Sequence, residues 1–202
     1  MPEEHPPAQK PGPPHTVALD ARSARGLAHP LRLKILGWLR TDGPATATMV
    51  GAALGLNTGA TSYHLRQLAT YGFVVEDPER GTPRERWWRA AHSSHTYGSL
   101  EQSEGREAFV RAVAQTATER IQRAAEANAT LPEAWRAVST FSDWVLRLTP
   151  REAQQLRREL AEVFDRYRRH DPEDTLAPQG SVPFAALLQL FPHHPERLPD
   201  EP

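Results

Sequence analysis

The pattern of apolar and polar positions divides the chain into three parts. From residue 31 to residue 71, apolar side chains recur three and four positions apart, which predicts successive amphipathic helices. From residue 73 to residue 89, two short apolar runs flank a turn-rich segment, which predicts a β-hairpin. Helical spacing returns beyond residue 100. The pattern therefore predicts a mainly α-helical protein with a small β-wing.

The first helical pattern begins at about Thr16, with Asp20 as a suitable N-cap. His29-Pro30 interrupts it, because a residue before proline avoids the α region while proline suits the first turn of a new helix. The new helix is expected to run to about Arg40 and to form the scaffold of its domain. His29 is interpreted as a structural residue at the bend.

Two helices joined by a tight turn are predicted between residues 45 and 73. Thr46 is a suitable N-cap for the first of them, and Gly55 can adopt the left-handed conformation that ends it. Asn57 is a suitable N-cap for the second, which is expected to end at Gly72. This arrangement is typical of a helix-turn-helix.

Helical projection separates the side chains of the second helix into two faces. Thr61, Leu65 and Leu68 face inward, whereas the outward set carries no carboxylate. Hydroxyls, a phenol, an amide and a guanidinium suit phosphates and base edges, and a glycine near the helix N-terminus allows close approach of a phosphate. Two short helices are also common in any α-protein. The outward residues are Thr58, Gly59, Ser62, Tyr63, Arg66 and Gln67.

The predicted hairpin that follows is basic. Its loop and returning strand carry Arg80, Arg84, Arg86 and Arg89. A basic hairpin directly after a recognition helix is placed to meet the DNA backbone or the minor groove, although arginines also serve merely to solvate a hairpin. Of the two adjacent tryptophans at positions 87 and 88, alternation along a strand directs one inward and one outward.

Three ordered motifs resemble the winged helix of ArsR-type bacterial transcription regulators. They are LAHPLRLKIL (27–36), GATSYHLRQL (59–68) and YGFV (71–74). The likeness is closest to an actinobacterial branch whose wing ends in a strand such as Arg-Trp-Trp, here residues 86–88. The resemblance covers roughly residues 17–91, with a weaker likeness continuing towards the C-terminus. It implies a homodimeric DNA-binding regulator.

Charge, composition and hydropathy add three constraints. The 202 residues contain 24 Lys/Arg and 25 Asp/Glu, but residues 20–90 carry a net charge of +4 and residues 172–202 a net charge of −4. The excess positive charge therefore lies in the proposed DNA-binding half. The absence of cysteine excludes disulfides and thiolate metal sites. No apolar run is long enough to span a bilayer, so we expect a cytoplasmic protein without a membrane partner.

Two long helices are expected in the C-terminal half. One spans about residues 100–128 and the other begins at Pro150 with Thr149 as its cap. Their narrow apolar stripes suit a two-fold helical interface and equally suit a small helical core. Alternation favours a strand over residues 138–148, and residues 182–191 are either a strand or a short helix.

The pattern gives the following domain organisation. The expected parts are a disordered Pro-rich tail (1–15), a winged helix-turn-helix domain (16–91), a linker (92–99), a helical α+β dimerisation or effector region (100–191) and a flexible tail (192–202).

Metal, cofactor and enzymatic functions find little support. His92 and His95 have a metal-like spacing but cannot complete a tetrahedral site, so a linker is preferred and neither metal nor cofactor is expected. No nucleophile–base pair or phosphate-binding glycine loop is present, so no enzymatic activity is expected. An unknown small-molecule effector stays open, because four aromatic residues would line an apolar pocket or simply form the core. They are Trp135, Phe141, Trp144 and Phe164.

The sequence therefore favours a sequence-specific, homodimeric transcription regulator that binds double-stranded DNA. Its recognition helix (57–71) would enter the major groove and its basic wing (77–89) would contact the backbone. The alternative is a winged-helix module that binds a protein and reads no DNA sequence. His64 lies at the flank of the helix, where packing or a phosphate bond is favoured over a base contact. The expected DNA-binding residues are Thr58, Gly59, Ser62, Tyr63, His64, Arg66, Gln67, Arg80, Arg84 and Arg86.

Overall fold

The computed structural model describes residues 16–82, 85–97 and 104–198. The chain divides into two compact units, one formed by Met1–Glu119 with Arg169–Pro183 and the other by Arg120–Arg168 with Phe184–Pro202. The predicted disorder of residues 1–15 concerns a segment outside the described residues. The mainly helical fold with a small β-wing is confirmed.

The first unit contains a winged helix-turn-helix with additional elements on both sides of it. In chain order its elements are β1 (Thr16–Leu19), α1 (Ala21–Leu27), α2 (Pro30–Asp42), β2 (Ala45–Thr46), α3 (Ala47–Leu54), α4 (Thr58–Thr70), β3 (Val74–Glu76), β4 (Trp87–Ala90), β5 (Ser94–Tyr97) and the first part of α5 (Glu104–Asn128).

The wing belongs to a three-stranded antiparallel sheet with the order β2–β4–β3. Ala45 lies opposite Trp88, and Val75 lies opposite Arg89. The predicted hairpin is therefore confirmed, and β2 adds a short third strand directly before α3. This strand ties the start of the helix-turn-helix to the base of the wing.

The core of this unit joins α2, α4, the sheet and α5. Ile35, Leu65, Phe73 and Phe109 are fully or almost fully buried. Each contributes about 1.5–3 kcal/mol by leaving water. The sequence pattern did not indicate Phe109 as a core residue, and its neighbour Val110 is exposed. α5 is thus packed against the winged helix through Phe109 and the partly buried Val113.

Two expectations at the edges of the domain were wrong. Thr16–Leu19 is not helical but forms β1, which pairs in parallel with β5. Ser94–Tyr97 is consequently a strand, although residues 92–99 were expected to be a linker. The two segments satisfy each other's backbone hydrogen bonds across almost eighty residues, which no local pattern reveals. The helix begins at Ala21 with Asp20 as its N-cap, as predicted.

The second unit contains the rest of α5, α6 (Glu133–Val138), α7 (Pro150–Asp165) and a 3₁₀ turn (Pro195–Arg197). Thr149 and Glu152 form a reciprocal capping box at α7, which confirms the predicted cap. The expected strand over residues 138–148 was wrong. α6 ends at Val138, and residues 139–148 have no regular secondary structure. Residues 182–191 have none either. Alternation predicts a strand only where a neighbouring strand can pair with it.

Candidate nucleic-acid interface

α3 and α4 meet through a tight turn. Gly55 adopts φ +66° at the end of α3, and the Leu56 amide donates to the Gly51 carbonyl oxygen at 2.8 Å. A Cβ at Gly51 would lie 2.9 Å from the carbonyl oxygen of Leu56 and 3.1 Å from Thr61 Oγ1. The absence of a side chain there allows α4 to pack closely against α3, which fixes the direction of the recognition helix.

The N-terminus of α4 is capped but accessible. Asn57 Oδ1 accepts from the Ala60 amide at 2.7 Å, and Thr61 Oγ1 donates to the Asn57 carbonyl oxygen at 3.0 Å. The amides of Thr58 and Gly59 have no acceptor within the helix, since they belong to its first turn. Both residues are exposed. This end of α4 offers backbone donors to an anion.

The two faces of α4 follow the helical projection. Thr61, Leu65 and Leu68 are buried, as predicted. On the outward face, Tyr63 is 53% exposed. Arg66 is also exposed. The remaining outward residues are the exposed Thr58 and Gly59 and the half-buried Ser62 and Gln67.

His64 lies on the buried side of α4, with 8% of its surface exposed. Its ring centroid is 4.6 Å from that of His29 and 5.2 Å from that of Tyr63. Burial lowers the pKa of His64, and the nearby His29 and Arg32 lower it further. A neutral, buried ring favours the packing role over a contact to DNA.

His29 is the structural residue that the sequence indicated. Its Nδ1 accepts from the Leu31 amide at 3.1 Å and so caps α2. This bond requires an unprotonated Nδ1. Burial lowers the pKa of His29, with a further contribution from Arg32, and both effects favour the capping form.

Two arginines of the wing, Arg80 and Arg86, form ion pairs. Arg86 Nε lies 3.3 Å from Glu76 Oε1, and the guanidinium is 5.9 Å from the centroid of the Trp88 ring. Trp88 is buried and Trp87 half-buried, so the predicted inward ring is that of Trp88. Arg80 pairs with Asp77 and with Glu173. Arg84 lies outside the described residues.

α3, α4 and the wing border an open groove of about 600 Å³. The groove brings together Thr58, Ser62, Arg66 and Arg86 among the expected residues. Tyr63, Gln67 and Arg80 do not line it. Its walls also include residues that the sequence interpretation missed, namely Thr48 and Met49 of α3 and Glu85 of the wing. Met49 is 44% exposed on α3, and no pattern in the sequence indicated that α3 forms a wall of the groove.

The groove can bind a nucleic-acid edge by ordinary hydrogen-bond chemistry. Arg66 supplies a forked donor, the hydroxyls of Thr58 and Ser62 donate and accept, and Arg86 at the opposite wall suits a phosphate. The outward face of α4 has no carboxylate that would repel an anion. Glu85 is the acidic exception on the wing side.

Residues 16–82, 85–97 and 104–198 contain no group of three or more His, Asp or Glu that could hold a metal. No helix among these residues is both long and apolar enough to cross a bilayer. Of the four aromatic residues considered for an effector pocket, Phe141 and Trp144 are exposed. Trp135 stacks on Phe184, with 6.4 Å between the ring centroids.

Comparison with known proteins identifies the central part of this unit. Residues 27–77 match the family described as a helix-turn-helix domain. These are 51 of the 202 residues, from the end of α1 to the start of the wing. Together with the sheet order and the hairpin, the match confirms the predicted winged helix-turn-helix domain. A search among curated proteins returns no significant match.

Several solved structures are similar over part of the chain. A crystal structure of a possible transcriptional regulatory protein fragment from Mycobacterium bovis is 26% identical, covering 47% of this chain and 89% of its own, with a TM-score of 0.32. An NMR structure of a homodimeric winged helix-turn-helix domain from M. bovis, a possible ArsR-family regulator, is also 26% identical, covering 47% and 77%, with a TM-score of 0.32.

A mutant MarR from E. coli, complexed with operator DNA, is 17% identical, covering 71% of this chain and 84% of its own, with a TM-score of 0.30. TM-scores below 0.5 do not establish a shared overall fold. The domain assignment therefore rests on the family match and on the geometry of the helices and wing.

Proposed function

We propose that the protein is a sequence-specific, DNA-binding transcription regulator that acts as a homodimer and catalyses no reaction. The observation that supports this most directly is the groove between α4 and the wing, whose α4 wall carries Thr58, Ser62 and Arg66 and no carboxylate. The family match over residues 27–77 supports the same conclusion. A bacterial regulator of this kind acts where the chromosome lies, in the cytoplasm.

α4 enters the major groove in this proposal. The exposed amides of Thr58 and Gly59 position the helix on a phosphate at the positive end of its dipole. Arg66 is suited to a guanine edge and Gln67 to an adenine edge, because each can form two parallel hydrogen bonds there. Ser62 and Tyr63 contact bases or adjacent phosphates. His64 positions α4 by packing under it, without touching DNA.

The wing contributes to the affinity for DNA rather than to the sequence preference. Arg86 and Arg84 are proposed to contact phosphates beside the major-groove site, with Arg80 following the backbone further along the loop. Arg86 must exchange its partner Glu76 for a phosphate on binding. Arg86 and Glu76 are both exposed, so Arg86 can exchange Glu76 for a phosphate without rearrangement of the core. Binding is expected to weaken strongly as salt rises.

Homodimerisation is proposed to use the second unit, which exposes many large apolar side chains. Trp144 is 78% exposed and Phe191 76% exposed, within two apolar segments that have no regular structure. A single soluble chain rarely leaves so much apolar surface in water. A second copy would cover it and would present two α4 helices to half-sites about 10 base pairs apart, or somewhat more.

Selection of random duplex DNA on the purified protein tests the proposal. A two-fold-symmetric motif is expected at near-physiological salt. Arg66→Ala should relax the preference at one position of each half-site, at a cost of about 1–3 kcal/mol. Arg86→Ala is the matched control within the same groove: it should weaken all sequences alike and reduce the salt slope by about one.

Two outcomes would contradict the proposal. Recovery of no motif, together with affinities that neither arginine variant changes, would leave the winged helix as a protein-binding module. If a monomer binds a motif that lacks two-fold symmetry, the proposal of sequence-specific binding stands and the proposal of a homodimer is contradicted.

A further inference from the structure

A late segment of the chain lies against the winged helix-turn-helix. Residues 169–183 belong to the first unit, although about fifty residues of the second unit precede them. His170 Nε2 lies 2.8 Å from the carbonyl oxygen of Thr41 at the end of α2. Pro172 covers the adjacent Gly43, at which a Cβ would lie 3.3 Å from the proline ring. Glu173 pairs with Arg80 of the wing.

This segment has a defined local structure. Asp171 Oδ1 accepts from the Glu173 amide at 3.0 Å, and its carbonyl oxygen accepts from the Asp174 amide at 3.1 Å. Asp174 Oδ1 in turn accepts from the Leu176 amide at 2.8 Å. Such side-chain-to-backbone bonds fix a turn. We name residues 171–174 the acidic turn, and it presents the Glu173 carboxylate to the wing in an ordered geometry.

Arg80 is the cation that the acidic turn neutralises. Its Nε lies 3.0 Å from Asp77 Oδ2, and its NH2 group pairs with Glu173. A guanidinium binds carboxylates and phosphates through the same fork of donors, so Glu173 takes a position that a DNA phosphate would otherwise occupy. The side chains of Arg80 and Glu173 are 42% and 48% exposed, which leaves their pair accessible to exchange.

We propose that the acidic turn is an intramolecular competitor of DNA, with Glu173 occupying the phosphate position on Arg80 of the wing and so lowering the affinity of the domain. The inference rests on the proposed function and concerns regulation of the same surface. A DNA phosphate must displace Glu173 before it can bind Arg80, and the released carboxylate then attracts cations from solution. Any event that moves the acidic turn away from α2 would strengthen DNA binding.

The test compares Glu173→Gln with the wild type in the full-length chain. This change retains the shape of the side chain and removes its charge. We expect about two- to fivefold tighter binding to the selected DNA at low salt, the range that an exposed ion pair supplies, and a smaller gain as salt rises. Binding can be followed by fluorescence anisotropy of a labelled duplex.

Two controls distinguish the competitor from a general charge effect. Glu162→Gln on α7 removes the same charge elsewhere and should leave the affinity unchanged. In an Arg80→Ala background, Glu173→Gln should also have no effect, because its target is absent. Equal gains in Glu173→Gln and Glu162→Gln would overturn the proposal, as would a gain that persists without Arg80.

The two proposals fail in different ways. If the wild type binds a selected sequence but Glu173→Gln binds it no better, the acidic turn is not a competitor and the regulator function stands. If neither the wild type nor any variant binds DNA at low salt, the proposed function fails and the competitor role fails with it.

Discussion

Two histidines from different helices meet beneath the recognition helix. His29 caps α2 through Nδ1, and its ring lies 4.6 Å from the buried ring of His64 in α4. Protonation of His29 would remove the cap acceptor, and protonation of His64 would place a charge beside Arg32 in a poorly hydrated position. α4, which carries most of the proposed DNA-contacting residues, therefore packs through a contact between two imidazole rings whose lowered pKa favours the neutral form.

This arrangement predicts that the folded protein becomes less stable as the pH decreases below about 6.5. The pKa values of His29 and His64 are lowered from 6.5 in the folded chain, so below that pH the unfolded chain binds more protons. The free energy of unfolding should therefore be unaffected by these groups above about pH 7.5 and should fall as the pH decreases below about 6.5. Urea unfolding at a series of pH values measures the effect.

His29→Asn is the informative variant, since asparagine also caps a helix but does not titrate in this range. It should reduce the pH dependence while its stability at about pH 7.5 stays close to that of the wild type. His64 and His92 supply the residual slope, because burial lowers the pKa of each and a nearby arginine lowers it further. The same slope in wild type and His29→Asn would show that the histidine contact does not sense protons.

At the scale of single elements, local chemistry was predictable from the sequence. Thr46, Gly55 and Asn57 act in caps whose partners lie within five residues, so the bounds of α3 and α4 follow from composition and spacing. The inward and outward faces of α4 follow from helical periodicity. These features determine where the recognition helix begins, where it ends and which side chains it exposes.

Long-range contacts were not predictable in the same way. The pairing of β1 with β5, the burial of Phe109 and the ion pair between Arg80 and Glu173 join residues far apart in sequence. None produces a periodic pattern of its own. For the same reason Thr16–Leu19 was expected to be helical, because four residues do not distinguish a strand from the first turn of a helix.

The packing of α3 on α4 makes two glycines respond differently to the same substitution. Gly51→Ala would place a methyl group 2.9 Å from a backbone oxygen, so the helices must separate and the free energy of unfolding should fall by about 1–3 kcal/mol. Gly59→Ala meets its nearest atom, Asn57 Oδ1, at 3.4 Å and should leave stability equal or slightly higher. Thermal unfolding measures both.

Gly59→Ala should reduce the affinity for DNA although it leaves the stability of the protein unchanged or slightly higher. Its methyl group would stand between the first-turn amides and a phosphate, which should weaken binding by roughly tenfold, the cost of a charge-assisted hydrogen bond. Gly51→Ala should lose affinity only to the extent that the protein unfolds. A stable Gly59→Ala variant with wild-type affinity would show that the N-terminus of α4 does not approach the backbone.

At the scale of the whole molecule, the distribution of apolar surface differs between the two units. The first buries its large side chains around Ile35, Leu65 and Phe73. The second exposes apolar residues over residues 141–148 and 184–191, and Phe184 stays 61% exposed although it stacks on Trp135 of α6. The alternating sequence that suggested a strand over residues 138–148 therefore lies in an exposed segment, and residues 139–148 have no regular secondary structure. The proposed homodimer would cover this surface.

Trp144→Ser with Val145→Ser tests this conclusion directly. Both side chains are largely exposed in the single chain, so their removal should change the free energy of unfolding by less than about 0.5 kcal/mol. Loss of a tryptophan from the centre of an interface typically costs about 2 kcal/mol or more, so the dimer dissociation constant should rise at least about tenfold. Sedimentation velocity over a range of protein concentrations measures it. Binding to a single half-site should be unchanged, whereas binding to the full site should weaken.

Tyr63→Ala is the matched control, because it removes another exposed aromatic side chain, from the face of α4 that is proposed to contact DNA. It should weaken binding to both DNA fragments and leave the sedimentation profile unchanged. The two variants thus separate assembly from DNA contact. If the Trp144/Val145 variant sediments as the wild type does, these segments are not the dimer interface. Because the apolar face of α7 lies in the same unit, with Val163 exposed on it, the next substitution would then be made there.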